Sequence, residues 1–251
     1  MIDAVVLAGS PNDGPLKECS SVPHEALIPI GSKTMVEYVV DALLNARQVR
    51  NVLVIGPETE LSLLLAGERV SVAGSAGGIM QNIEAGLNRL SGEKRVLLVT
   101  SDIPMLTSEA VDDFLNLCGD MSGDLYYPVI SKRVIEAKFA STRRTYVPLK
   151  EGTFTGGNLF IINPAKFKMC VENGQKFINL RKSPLGLCRL LGLGFVVKFL
   201  IRTLTLSEAE KKVSDLLGIW GVVVISNYPE IGVDVDKPGD LELVLNTMGI
   251  K

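Results

Sequence analysis

The stretch Ala4-Val5-Val6-Leu7-Ala8-Gly9-Ser10-Pro11-Asn12-Asp13-Gly14-Pro15-Leu16-Lys17 is the one whose reading decides the fold. Its first five residues are apolar without alternation, the pattern of a strand covered on both faces. A loop carrying Gly9 and Gly14 follows directly. Glycine lets backbone N–H groups approach a phosphate with no Cβ in the way. In open parallel sheets, ligands collect at the carboxyl ends of strands near a topological switch. A plain tight turn would use the same glycines, and the spacing matches neither a Walker P-loop nor a GxGxxG fingerprint.

Outward from this strand, residues 51–55, 69–73 and 95–100 are strand candidates, separated by amphipathic stretches at 34–46, 57–66 and 78–90. Strands alternating with helices of this length imply βαβ units with right-handed crossovers. The expectation is an α/β, Rossmann-like fold, with a mainly parallel central sheet and helices on both faces. A helix over 107–118 follows, capped by Thr107, with Ser108-Glu109-Ala110 completing a capping-box spacing. The pattern then changes. Residues 124–130, 145–149 and 158–162 are strand-like, and Asn163-Pro164 opens a helix with a good cap and proline at its first position. Helical sequence runs on to Leu217, strands at 220–225 and 231–235 close the sheet, and 238–248 is a final helix. Without a repeat, low-complexity tract or linker, one domain over 1–251 is expected, with an inserted region at 121–218 between a first half at 1–120 and closing elements at 219–251.

A 251-residue chain buries enough surface to fold without disulfides or structural metal. Its 47% hydrophobic and 22% charged residues are ordinary for a globular domain. A formal charge of −2 gives no electrostatic reason to bind nucleic acid, so any attraction for phosphate has to be local, in a loop or at a helix end. Cys19, Cys118, Cys170 and Cys188 form no CxxC pair and share no spacing with the single histidine, which argues against zinc and for free thiols in a cytoplasmic protein. The apolar segment 185–206 contains Arg189, Lys198 and Arg202 and is broken by Gly186, Gly192 and Gly194. Each central charge would cost about 2.5–3.5 kcal/mol in a membrane-spanning helix, so two short helices at 184–191 and 195–202 are expected, docked on the domain or touching an apolar surface.

Two further sites carry chemistry. Asp102, in Thr100-Ser101-Asp102-Ile103-Pro104, stands at the end of a buried strand, where a carboxylate can hold Mg²⁺ bridging phosphates or simply satisfy loop N–H groups. In Gly232-Val233-Asp234-Val235-Asp236-Lys237-Pro238, a strand would point Asp234 and Asp236 to one face, toward Asp102 if the strands are neighbours. Asp236 could equally cap the last helix. Asp240, in that helix's first turn, is a favourable partner for its dipole.

Together, Val6-Leu7-Ala8-Gly9, the run from Ala26-Leu27-Ile28-Pro29 to Glu37-Tyr38, Ser101-Asp102-Ile103-Pro104, and Asp234-Val235-Asp236-Lys237-Pro238-Gly239-Asp240-Leu241 resemble the MobA-like nucleotidyltransferases, in order across most of the chain. The resemblance implies a glycosyltransferase-A-like sheet, a nucleotide-binding half at 1–120 and an acceptor-side region at 121–218. It implies that Leu7, Ala8, Gly9, Ser10, Gly14 and Lys17 cradle a nucleoside triphosphate. Asn82 would lie near its base or ribose, with Gln81 a weaker candidate. Asp102 and Asp236, with Asp234, would hold Mg²⁺, and Thr155, Gly156, Gly157 and Asn158 would border the acceptor. Adjacent glycines at 156 and 157 suit close approach of a ligand, and a tight turn explains them nearly as well.

One departure stands out. Members usually carry a lysine just before the Ala-Leu-Ile-Pro run, and this chain has His24-Glu25 there. Losing one preorganised donor to developing charge costs about 3–4 kcal/mol. Lys17 or Lys33 could substitute, Glu25 could reach a second metal, or activity is reduced. Ser10 also stands where a second glycine is usual, and Lys17 is the nearest cation to the family's arginine, which makes it a catalytic candidate beside Asp102. The expected reaction is Mg²⁺-dependent transfer of a nucleoside monophosphate from an NTP to a phosphate or hydroxyl acceptor, releasing pyrophosphate. The alternatives are a nucleotide-binding protein with lost turnover, a nucleotide-sugar-dependent glycosyltransferase, and an interaction protein with a vestigial site.

Overall fold

The computed structural model describes residues 1–250 except 66, 91, 140, 141, 143 and 181–189, with residues 175–180 entering as helical backbone only. β1 (Ile2–Leu7) forms at the expected place and is buried along its whole length. A small hairpin, β2 (Pro29–Ile30) and β3 (Lys33–Thr34), leads into α1 (Met35–Asn45), whose start is fixed by a capping box between Thr34 and Glu37. The first half continues through β4 (Val49–Gly56), α2 (Glu58–Leu64), β5 (Val70–Gly74), α3 (Ile79–Arg89), β6 (Val96–Thr100) and α4 (Ser108–Leu117). β7 (Leu125–Ser131), α5 (Lys132–Lys138), β8 (Val147–Leu149), β9 (Gly152–Gly156), β10 (Leu159–Ile162) and α6 (Pro164–Leu180) follow. α7 (Leu193–Leu200), α8 (Leu206–Leu217), β11 (Gly221–Ser226) and α9 (Pro238–Met248) complete the chain.

The sheet runs β5-β4-β1-β6-β10-β7-β9-β8, with β11 added beside β7. β1 pairs in parallel with β4 on one side and β6 on the other, so the chain leaves β1 in one direction and returns on its other flank. That is a topological switch at the end of β1, the place where α/β sheets bind ligands. β10 is antiparallel to both β6 and β7, and β9 is antiparallel to β7 and β8; the remaining strands all point the same way. Alternate residues of the central strands enter opposite cores. Ala4, Val6, Leu97 and Val99 pack with α1, α4 and α9, while Val5, Leu7, Val96 and Leu98 pack with Ile83 and Leu87 of α3 and Phe167 of α6. Covering on both faces is what the unalternating first strand demands.

Three details differ from the sequence-based reading. Residues 231–235 are not a strand: a 3-10 helix covers Pro229–Gly232, with proline at its start, and the following residues run outside any strand. Asp236 does not cap the last helix; Lys237 occupies that position without a side-chain bond, and Asp240 accepts the Asp236 N–H at 3.3 Å. Thr107 does cap α4, accepting from Ala110 N at 3.2 Å, but alanine at that position cannot reciprocate, so no capping box closes. The 195–202 helix appears as α7, whereas most of the stretch at 184–191 lies outside the described residues. Among the described residues no helix is long and apolar enough to cross a membrane.

Two features give stability predictions. An added Cβ at Gly156 would sit 1.9 Å from the Tyr127 hydroxyl oxygen. Gly156→Ala should therefore cost about 1–3 kcal/mol in denaturant unfolding, and Tyr127→Ala in the same chain should recover part of that loss as a non-additive coupling. The Asp3 carboxylate, 7% exposed, accepts from Arg50 at 2.9 and 2.7 Å and from Asn51, and the Arg50 guanidinium holds it below the usual carboxylate range. A depressed native pKa adds stability above the unfolded value that is lost as pH falls through the native one. The melting-temperature gap between wild type and Asp3→Asn should thus be wide at neutral pH and close in acid, below about pH 4.

Candidate active site

The end of β1 and the end of β6 lie side by side, because Leu7 pairs with Thr100 and Ser101 N donates to Leu7 O at 3.3 Å. Between them opens a cleft of about 160 Å³ lined by Leu7, Gly9, Ser10, Pro11, Glu25, Gly77, Gly78, Ile79, Asn82, Thr100, Ser101 and Asp102. Gly9 is required here for contact rather than for backbone angle: a Cβ would fall 2.6 Å from Asn82 Nδ2. Asn82 is buried and ties the preceding loop, its Oδ1 accepting from Ala76 N at 2.7 Å and from the Ser75 hydroxyl at 3.0 Å. The N-terminus of α3 opens on the cleft through Gly77, Gly78 and Ile79, and no side chain caps it.

Asp102 follows β6. Its carbonyl oxygen accepts from Val235 N at 2.8 Å, and its carboxylate accepts from the Thr100 hydroxyl. Although 233–236 is no strand, that backbone bond carries Asp234 and Asp236 to the same place. Oxygen atoms of Asp102, Asp234 and Asp236 all lie within 4.8 Å of one another. Burial pushes the Asp102 carboxyl pKa up, the Thr100 hydroxyl opposes this, and the charge on Asp236 adds to it. Arg144 forms an ion pair with Asp234 and donates to its carbonyl oxygen at 3.3 Å; the two side chains are only 11% and 15% exposed. Three converging carboxylates form a hard oxygen donor set of the kind that suits Mg²⁺, so the residues fit a divalent cation.

The other expected residues distribute unevenly. Leu7, Gly9 and Ser10 line the cleft; Ala8 is buried just beneath it, bonded to Ile55 O at 2.7 Å. Gly14 precedes the 3-10 helix Pro15–Glu18, where a Cβ would make only ordinary contact with Glu25 at 3.8 Å. Lys17, on that helix, is exposed and does not line the cleft. Lys33 is bound to Asp41. Thr155 and Gly156 belong to β9, an element the glycines on either side had disguised as loop. They face an apolar cavity of about 450 Å³ beside α8. The glycines at 156 and 157 are needed for packing against Tyr127, Pro128 and Ile231. Asn158 braces the site instead of lining it: its carbonyl accepts from Thr100 N at 3.0 Å and its N–H donates to Ile231 O at 2.9 Å. Pro11, Gly77, Gly78, Ile79, Thr100 and Ser101 were the unassigned walls; the pair Gly77-Gly78 before a helix was the available signal.

Comparison with known proteins identifies the family and the fold. A family model described as the MobA-like NTP transferase domain matches residues 17–162, more than half of the chain. Comparison with curated proteins gives no match. Among solved structures, a hypothetical transferase from Thermus thermophilus is 36% identical with a TM-score of 0.82, covering 96% of this chain and 99% of its own. A CMP:2-keto-3-deoxy-manno-octonic acid synthetase complexed with CTP is 14% identical with a TM-score of 0.61, covering 99% of both chains. A nucleotidyl transferase from Methanothermobacter thermautotrophicus is 16% identical with a TM-score of 0.60, covering 98% of this chain and 96% of its own. The last two share the fold, and the family match and the Thermus relative together fix the family: the chain belongs to the MobA-like NTP transferases.

Proposed function

We propose that this protein transfers a nucleoside monophosphate from an NTP to a phosphorylated or hydroxylated small molecule, releasing pyrophosphate and depending on Mg²⁺. The observation that carries the reading is the convergence of Asp102, Asp234 and Asp236 beside the glycine-bearing end of β1. An acceptor oxygen attacks the α-phosphorus in line, and the bond to the pyrophosphate oxygen breaks. A phosphate acceptor is already an anion, so no protein base is required. The chain's own work is positioning and charge placement. Gly9, Ser10 and the uncapped start of α3 line the cleft, where a helix N-terminus favours phosphate. Asn82 holds the 75–77 loop in the shape that lets a nucleotide enter. Asp102, Asp236 and Asp234 would hold the cation, which when bound neutralises charge on the phosphates. Lys17 would contribute only by moving toward the cleft. Thr155 to Asn158, outside the cleft lining but bonded to the end of β6 through Thr100 N and Asn158 O, lie on the side from which the acceptor would come.

A second reading, a nucleotide-binding protein with little turnover, is favoured by one observation: no lysine or arginine is among the described residues lining the cleft. Calorimetric titration of nucleotides followed by pyrophosphate assays separates binding from turnover.

Asp102→Asn keeps the size of the side chain and the carbonyl that anchors Val235. It should lower Mg²⁺-dependent pyrophosphate release by about 10²–10³ with little change in melting temperature; unchanged turnover would exclude the assignment. Asn82→Ala removes the bonds to Ala76 and Ser75 and should raise KM for the nucleotide more than it lowers kcat. Loss of stability alone, with KM unaltered, would make Asn82 a purely structural residue.

A further inference from the structure

Glu25 lines the same cleft as Gly9, Asn82 and Asp102. It begins a short 3-10 helix, Glu25–Leu27, and its N–H donates to Ser10 O at 3.2 Å, which fixes it against the β1 loop. Burial and the charges of Asp102, Asp236 and Asp13 all push its carboxyl pKa up. The cations that could offset it are engaged or distant. Arg144 is paired with Asp234, Lys33 with Asp41, and Lys17 is exposed outside the cleft. A free triphosphate entering this cleft meets carboxylates on two walls and, among the described residues, no lysine or arginine in the lining.

We propose that Glu25 makes this protein a binder of cation-loaded triphosphate only: its carboxylate, in a cleft whose described lining holds no lysine or arginine, repels the bare nucleotide and attracts the divalent cation accompanying it. The inference rests on the reading of the cleft as a triphosphate site. Like charges at the distances available inside one small cleft oppose each other by amounts that salt screens only in part. In a chain with lysine at this position, part of the affinity for triphosphate would persist without metal. Here it would not. Glu25 also adds to the negative potential around Asp102 and Asp236, so the cation alone should bind more tightly than three carboxylates with a neighbouring lysine would allow.

The test is calorimetry on the full chain with ATP, CTP, GTP and UTP, each in excess EDTA and in excess MgCl₂, and with Mn²⁺ alone, for wild type, Glu25→Gln and Glu25→Lys. Wild type should bind the preferred nucleotide with Mg²⁺ and lose at least about tenfold in affinity in EDTA. Glu25→Gln should narrow that gap, and Glu25→Lys should close most of it by binding metal-free nucleotide at least about tenfold more tightly than wild type. Mn²⁺ affinity without nucleotide should fall in the same order, with Glu25→Lys weakest. If wild type binds the magnesium nucleotide but the gap and the Mn²⁺ affinity are the same in all three proteins, Glu25 has no such role and the inference fails alone. If wild type and Glu25→Lys bind none of the four nucleotides in either condition, the triphosphate reading fails with it.

Discussion

A single backbone hydrogen bond, 2.8 Å from Val235 N to the carbonyl oxygen of Asp102, holds the site together. It joins the end of a strand in the first half of the chain to a loop near the C-terminus, where the three carboxylates meet. Everything around it serves to make that bond unavoidable. The two-faced core fixes β6 against β1, the parallel register sets Thr100 beside Leu7, and Asn158 and Ile231 bridge β6 to the incoming loop. Such a bond inside a covered region forms readily because leaving either group unpaired there would cost about 1–3 kcal/mol.

The price of this arrangement is concentrated negative charge. Asp102, Asp234 and Asp236 converge with one guanidinium, that of Arg144, among them, and Glu25 adds a further carboxylate at the cleft wall. Burying like charges together is unfavourable unless a cation compensates. Arg144 pairs with Asp234, but burial and the charge on Asp236 push the Asp102 carboxyl pKa up although Arg144 lowers it, and burial with the neighbouring carboxylates raises that of Glu25.

The first half of the fold was legible because its signals are local: the unalternating run at 4–8, the helix periodicity of 34–46 and 78–90, and the Thr34 start. The second half was harder to read for physical reasons. β9 carries glycines at both ends, which read as turns, yet Gly156 is there because Tyr127 leaves no room for a side chain. α5 is only two turns long, too short for periodicity to declare itself. The 231–235 segment has strand-like composition, but Pro229 starts a tight helical turn, and the bonds that 231 and 235 make go to Asn158 and Asp102 rather than along a ladder. The acidic triad was readable as residue types, while its convergence is a tertiary fact. That the described lining of the cleft holds no lysine or arginine was not readable at all, since it depends on Lys17 lying exposed outside it and Lys33 being paired with Asp41.

The most direct test of the central claim is the position of the metal. Crystals grown with Mn²⁺ and a non-hydrolysable analogue of the preferred nucleotide would locate the ion by its anomalous signal. The account requires a peak at about 2.1 Å from carboxylate oxygens of Asp102 and Asp236, with the analogue's phosphates against Gly9 and Ser10. A peak elsewhere, or phosphates bound away from the end of β1, would contradict it.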